Sequence, residues 1–229
     1  MCWSATADLA AGCVIAAVGA VSLACVRRAR DLPLAAVPLL LGAHQLIESA
    51  VWREAQDAGS GVAHVVGGAA VTLWAVIAFP LLPAFIPLAV LSAAPQWSRL
   101  RLLPFAAIGL ASSAVLGHVL ASGPVTAAPV GHTMRYGIGP IPLVVLVVAG
   151  YLVATVGSLL VSDQPEIRAL GLVTAVGAAV CFTLWRAAFA STWCALAAVV
   201  SALLLHWLRR PRKRRLAPDT LRRSRIPVR

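Results

Sequence analysis

Charge is scarce in this chain, and lysine almost absent. Charged residues make up 12% of the 229 residues, about half the share of a soluble domain. The one lysine, Lys213, lies close to the carboxyl end. Because a retinal protein needs a lysine inside the membrane for its Schiff base, that class is excluded. Phosphate-binding loops, dinucleotide-binding glycine motifs, nucleophile elbows and HExxH zinc motifs are also missing from the sequence.

Cysteine pairs and an amino-terminal basic segment are missing too. The five cysteines form no CxxC, which excludes zinc-ribbon and thioredoxin-like motifs. No Lys or Arg precedes the first apolar run, whereas Arg27, Arg28 and Arg30 follow it. This order favours an uncleaved first span whose amino end lies outside. We expect Cys2 and Cys194 near the outer face, either as free thiols or as a disulfide.

Apolar residues dominate what remains. The chain is 60% hydrophobic, with a mean hydropathy of +0.89, and its apolar runs predict an all-α bundle of seven transmembrane helices. The run at 62–94 exceeds one straight span, but the positive-inside rule favours a single kinked one. The predicted spans are 5–26, 32–52, 62–94, 102–121, 141–161, 167–189 and 191–208.

Basic residues set the predicted orientation and domain division. They are concentrated in the segments that a seven-span topology places in the cytoplasm, above all in the last 21 residues. The sequence therefore predicts a multi-pass inner (plasma) membrane protein with a transmembrane domain at 1–208 and a basic cytoplasmic tail at 209–229. Besides the lipid bilayer, the expected partners are anionic lipid headgroups, which the tail binds; no nucleic acid is expected, and the sequence indicates no particular protein partner.

A polar stripe lies within the second predicted span. His44, Glu48 and Trp52 are spaced four residues apart and therefore share one helix face, and Gln45 borders it. A carboxylate in a transmembrane helix costs roughly 2.5–3.5 kcal/mol at the helix centre. We therefore expect Glu48 to face the bundle interior, beside an Arg or a His from another span.

The predicted topology brings further polar residues to the same outer depth. The candidates for this polar layer are Ser4, His44, Gln45, Glu48, Trp52, Arg186 and Trp193, with His64 and His118 near them. Three interpretations stay open. The layer is a hydrogen-bonded network, with Glu48 paired to Arg186, that supports a small binding site. Alternatively, His44 and Glu48 bind zinc or another transition metal together with His64 or His118 in a membrane enzyme, or the same groups relay protons in a carrier or channel.

Three short motifs carry a resemblance to a known family. They are the opening Met1–Ala7 segment (Met-Cys-Trp-Ser-Ala-Thr-Ala), the Gly42–Trp52 segment, and Ser191-Thr192-Trp193-Cys194. The chain resembles a set of mostly actinobacterial multi-pass membrane proteins of unknown function, which begin Met-Cys-Phe-Ser-Ala-Thr-Ala. Trp3 departs from that pattern. The resemblance implies the membrane architecture and no activity. A seven-span hydrolase of the ceramidase type is disfavoured, because the last span contains His206 alone.

Overall fold

The computed structural model describes residues 4–57, 66–130, 133–184 and 189–209. These residues are mostly helical and form seven helices. Four of them, α1 to α4, are long and apolar enough to cross a membrane, and α5 is a shorter apolar helix. The helices are α1 (Ala5–Ala24), α2 (Leu32–Asp57), α3 (Ala69–Ala93), α4 (Arg99–Ala121), α5 (Val144–Leu160), α6 (Pro165–Leu184) and α7 (Phe189–Arg209).

Helix α2 is longer than the sequence predicts. The second predicted span ends at Trp52, and the polar residues from Arg53 to Gly61 that follow it predict a loop. That expectation is wrong for the first five residues, since the helix continues to Asp57. Arg, Glu, Ala and Gln all favour helix, so the polar residues extend α2 beyond its apolar part.

Helix α3 is one continuous helix, the single-span alternative that the charge distribution favours. It begins at Ala69, seven residues later than expected, and contains a π turn at Ile77–Leu81. Pro80 lies in this turn and has no N–H to donate to a helical carbonyl. Helix α5 contains a second π turn at Val153–Gly157, without a proline.

A β-hairpin lies between α4 and α5, where the sequence predicts a loop in an all-α protein. Strands β1 (Thr126–Val130) and β2 (Thr133–Gly137) pair antiparallel, with Ala127 opposite Tyr136. Ala127 also exchanges two backbone hydrogen bonds with Val66, both 2.8 Å long. The hairpin defines one end of the bundle, here named the hairpin end; the other, where α7 ends at Arg209, is the tail end.

Helices α1 and α2 pack closely along their length. A Cβ atom at Gly19 would lie 2.4 Å from the backbone N of Leu39, and one at Gly42 would lie 2.4 Å from that of Ala16. Such distances leave room for glycine alone, as in other membrane helix pairs with small residues at the contact. The close packing brings the first turns of α1, with Asp8, against the second half of α2, with Glu48.

Candidate functional site

The stripe predicted on α2 faces the bundle interior. Glu48 is 1% exposed, and Gln45 and Trp52 are also buried. This is the inward orientation that the cost of a lipid-facing carboxylate demands. The position follows from the helix period, because the neighbouring apolar positions of α2 that contact the core recur every three or four residues.

Trp74 of α3 is the residue that contacts the Glu48 carboxylate directly. Its indole N–H donates a hydrogen bond to Glu48 Oε2 at 3.3 Å. One face of the indole stacks on Tyr136 of the hairpin, with ring centroids 3.5 Å apart and planes 4° from parallel. The His44 ring lies 4.8 Å from the indole, tilted by 33°. Two helices and the hairpin therefore hold the aromatic donor in place beside Glu48.

Asp8 of α1 adds a second buried acid to this site. Its side chain is fully buried and lies close enough to Glu48 for the two carboxyl groups to interact electrostatically. The Trp52 indole N–H lies beside Asp8 without completing a hydrogen bond to it. Ser4, a predicted member of the polar layer, caps α1 by accepting a hydrogen bond from the Ala7 N–H at 3.2 Å.

Several polar atoms of this site have no hydrogen-bond partner within the described part of the chain. They belong to the set here named the carboxyl cluster: Asp8, His44, Glu48, Trp52, Trp74 and Tyr136. The unpaired atoms are both carboxyl oxygens of Asp8, Glu48 Oε1, His44 Nε2, Trp52 Nε1 and the Tyr136 hydroxyl. Because over nine in ten buried polar groups are normally paired, such a concentration of unpaired acceptors and donors indicates a place for a further group.

Tyr136 lies in the hairpin, outside the helices. Burial raises the pKa of its hydroxyl well above the usual value, and the nearby Glu48 and Asp8 carboxyls raise it further. The phenol is therefore neutral and offers one donor and one acceptor to the cluster.

Of the other predicted site residues, none is seen in contact with Glu48 among the described residues. His118 lies in the last turn of α4, and its side chain is exposed. His64, Arg186 and the side chain of Trp193 lie outside the described residues. Within the part that the structure describes, no three His, Cys, Asp or Glu side chains converge as a metal site would require. The metal set His44, Glu48 and His64 or His118 thus stays a prediction.

Sequence reasoning did not assign roles to Trp74, Asp8 and Tyr136. The predicted topology does place Asp8 at the outer start of the first span, at the depth of Glu48, but it assigns this acid no role. Trp74 interrupts a long aliphatic run, a weaker signal. Tyr136 shows no sequence signal, because its position depends on the hairpin folding back over the helices.

One comparison with known proteins gives a match. The model of a family described as "Family of unknown function (DUF6629)" matches residues 1–219. No curated protein and no solved structure matches the chain. The family match agrees with the resemblance expected from the sequence motifs, in that the family has no established function. Because the match covers nearly the whole chain, the protein is a member of the DUF6629 family, with several apolar helices suited to a membrane.

Proposed function

We propose that this protein is a seven-span plasma-membrane protein with its amino terminus outside, and that its carboxyl cluster binds a small cation near the outer face. The observation that supports this proposal is the pair of buried acids, Asp8 and Glu48, with three oxygen atoms unpaired in the described part of the chain. No Lys or Arg among the described residues forms a salt bridge with either acid.

The chemistry of the cluster favours a ligand with positive charge and several N–H donors. Burying a carboxylate without a counter-charge is costly, so the group takes up a proton or a cation. The Asp8 oxygens and Glu48 Oε1 are acceptors, and Tyr136 and Trp52 add donors or acceptors around them. A protonated primary amine matches this set, because it brings three donors and one positive charge.

A purely structural network fits the cluster less well. In a buried network whose only role is to fix helix rotations, every polar group is expected to have a hydrogen-bond partner. The reason is that a partly paired buried network is less stable than an apolar core. Here Glu48 receives one long hydrogen bond, from Trp74, and Asp8 receives none from the described residues. The predicted pairing of Glu48 with Arg186 would supply the missing charge, and the experiment below separates it from a bound cation.

Proton transfer is a second candidate function, favoured by the proximity of Asp8 to Glu48. Two like charges in one site disfavour double ionisation, so such a pair shares a proton. A proton-linked carrier would use this pair together with His44. In that case liposomes containing the protein should show proton flux that depends on Glu48 and needs no amine.

The test uses full-length protein in lipid nanodiscs, with thermal shift and calorimetry against a panel of small primary amines, ammonium and Zn²⁺. We expect an amine to bind and stabilise the wild type, and Glu48→Gln to abolish this. The matched control is Glu54→Gln, because Glu54 is an exposed acid on the same helix. Equal responses of the two variants, or no response of the wild type to any cation, would overturn the proposal. A response to Zn²⁺ alone would instead support the metal set with His64.

The orientation and the tail have their own tests. Reporter fusions active only in the cytoplasm should be active at the carboxyl end and inactive at the amino end. We also propose that the basic tail at 209–229 binds anionic lipid headgroups, at about 1 kcal/mol per basic residue near the surface. A synthetic tail peptide should bind phosphatidylserine-containing vesicles and leave pure phosphatidylcholine vesicles free. The binding should weaken as salt is added.

A further inference from the structure

The short connection between α3 and α4, at the tail end, exposes two large apolar side chains. Trp97 is 71% exposed and Leu100 is 76% exposed. Both helices are long and apolar enough to cross a membrane, so the residues that join them lie where the bilayer meets water. Tryptophan is enriched at this depth, because its ring is apolar and its N–H is polar. The connection therefore faces the head-group region of the lipid.

The backbone of this connection is held in place by its other side chains. It consists of a single 3₁₀ turn, Gln96–Ser98, that leads directly into α4. Ser98 is buried and donates its hydroxyl to the Pro95 carbonyl at 3.0 Å. Leu102, in the first turn of α4, is 1% exposed. The exposed apolar pair is thus presented by a segment that is anchored to the bundle on its inner side.

The connection between α1 and α2 lies beside it. Ser92, near the end of α3, donates its hydroxyl to the Arg30 carbonyl at 3.0 Å. In the bundle, Leu34 in the first turn of α2 and Leu102 belong to the same buried cluster. Two connections that are far apart in sequence therefore form one continuous surface.

Exposed arginines give this surface its charge. Arg101 forms a salt bridge of 3.7 Å with Asp163, and Asp31 is buried. Four other arginines are exposed and form no salt bridge with an acid in the described part of the chain. They are here named the arginine face: Arg27, Arg28, Arg30 and Arg99. Their positive charge is available to a ligand of opposite charge.

We propose that the arginine face binds the head group of an anionic phospholipid, with Trp97 and Leu100 against the upper part of its acyl chains. Guanidinium groups match phosphate oxygens with paired hydrogen bonds, and basic sites between membrane helices bind lipid head groups in this way. The apolar pair fits the hydrocarbon that begins below the phosphate. The site belongs to the folded helices and is separate from the tail at 209–229. It requires α3 and α4 to cross the membrane, and it does not depend on the proposed cation site.

The test measures which lipid lies beside Trp97 in the full-length protein. Nanodiscs of phosphatidylcholine contain phosphatidylglycerol as the minor lipid, and bromine near the head group of one or the other lipid quenches nearby tryptophans. Subtracting the signal of Trp97→Phe isolates the contribution of Trp97. We expect brominated phosphatidylglycerol to quench Trp97 more strongly than brominated phosphatidylcholine at the same mole fraction. Arg99→Gln should lower this preference about fivefold.

Arg101→Gln is the matched control, because it removes the same charge two residues away from an arginine that Asp163 already pairs. It should keep most of the preference. An equal loss in both variants would overturn the site, since diffuse attraction to the whole basic surface, tail included, would then explain the enrichment. Equal quenching by the two brominated lipids in the wild type would overturn it too. Loss of the preference on adding inorganic phosphate at constant ionic strength would assign the arginine face to a soluble phosphate and reject the lipid.

Discussion

The polar side chains at the two ends of the bundle differ in how completely their hydrogen-bonding groups are paired. At the tail end, Gln164 donates through its side-chain nitrogen to the Ala93 carbonyl at 3.2 Å and accepts from the Trp207 indole at 2.9 Å. At the hairpin end, Glu48 accepts one bond of 3.3 Å and its other oxygen has no partner among the described residues. In both sites a tryptophan indole N–H donates to a side-chain oxygen, which belongs to a carboxyl group in Glu48 and to an amide in Gln164.

That difference separates a structural contact from a binding site. The half-buried Gln164 amide has both its donor and its acceptor paired, and it links α3, the turn before α6, and α7. The buried Glu48 carboxyl has only one of its two oxygens hydrogen-bonded, so its second oxygen and its charge can still interact with a ligand. The following variants test whether the contrast is real, beginning with the largest expected loss of stability.

Gly42→Ala should disrupt the site at the hairpin end, because it separates α1 from α2, the two helices that bring Asp8 close to Glu48. The new Cβ would lie 2.4 Å from the Ala16 backbone N, and such overpacking costs about 3 kcal/mol. We expect a large drop in the thermal unfolding midpoint in nanodiscs. Gly123→Ala is the control, since a Cβ there meets nothing within 4 Å. Similar midpoints for both variants would contradict the close α1–α2 packing.

Gln164→Met should show what a satisfied polar contact contributes. The variant keeps the approximate shape but removes the hydrogen bonds of the Gln164 amide to the Trp207 N–H and the Ala93 carbonyl, at a cost of about 2 kcal/mol. Gln56→Met on the exposed end of α2 is the matched control. Denaturant-induced unfolding of the two variants measures the difference, and ligand binding should be retained in both. If Gln164→Met is as stable as the wild type, the Gln164 contacts do not stabilise the tail end, and the proposed contrast between the two ends is wrong.

Trp74→Phe should weaken the hairpin end by less, about 1 kcal/mol. It removes the one described hydrogen bond to Glu48 and preserves an aromatic ring on which Tyr136 can stack and which His44 can contact. We expect amine affinity to fall, because Glu48 loses the donor that orients it. Trp97→Phe is the control, since Trp97 is 71% exposed. Unchanged affinity in Trp74→Phe would show that the indole does not position the acid.

Glu48→Gln should have the smallest effect on stability and the largest on binding. The amide keeps the shape and removes a charge that forms no salt bridge with a described Lys or Arg, so the free energy of unfolding should change by less than about 1 kcal/mol. Unfolding without ligand measures this directly. A loss as large as that of Gln164→Met would indicate that Glu48 is structural, and would make the two ends of the bundle alike.

Much of the architecture follows from the sequence because it depends on local patterns. The apolar runs predict helices where α1, α2 and α4 lie, and the cost of a lipid-facing carboxylate predicts the inward orientation of Glu48. The end of α2 was placed too early, since hydropathy marks the edge of the apolar part and not the end of the helix. The hairpin was missed because strand β1 contains two alanines and a proline, which are depleted in strands.

The sequence by itself therefore determined the class of protein, its apolar helices and the stripe of His44, Glu48 and Trp52 on α2, which Gln45 borders. Only the tertiary structure decided which residues meet that stripe. Trp74 contacts Glu48, and Tyr136 stacks on Trp74, because α3 and the hairpin lie at the same end of the bundle. The physical reason is that a helix period specifies which side chains share a face, whereas the partners of that face depend on packing between distant segments.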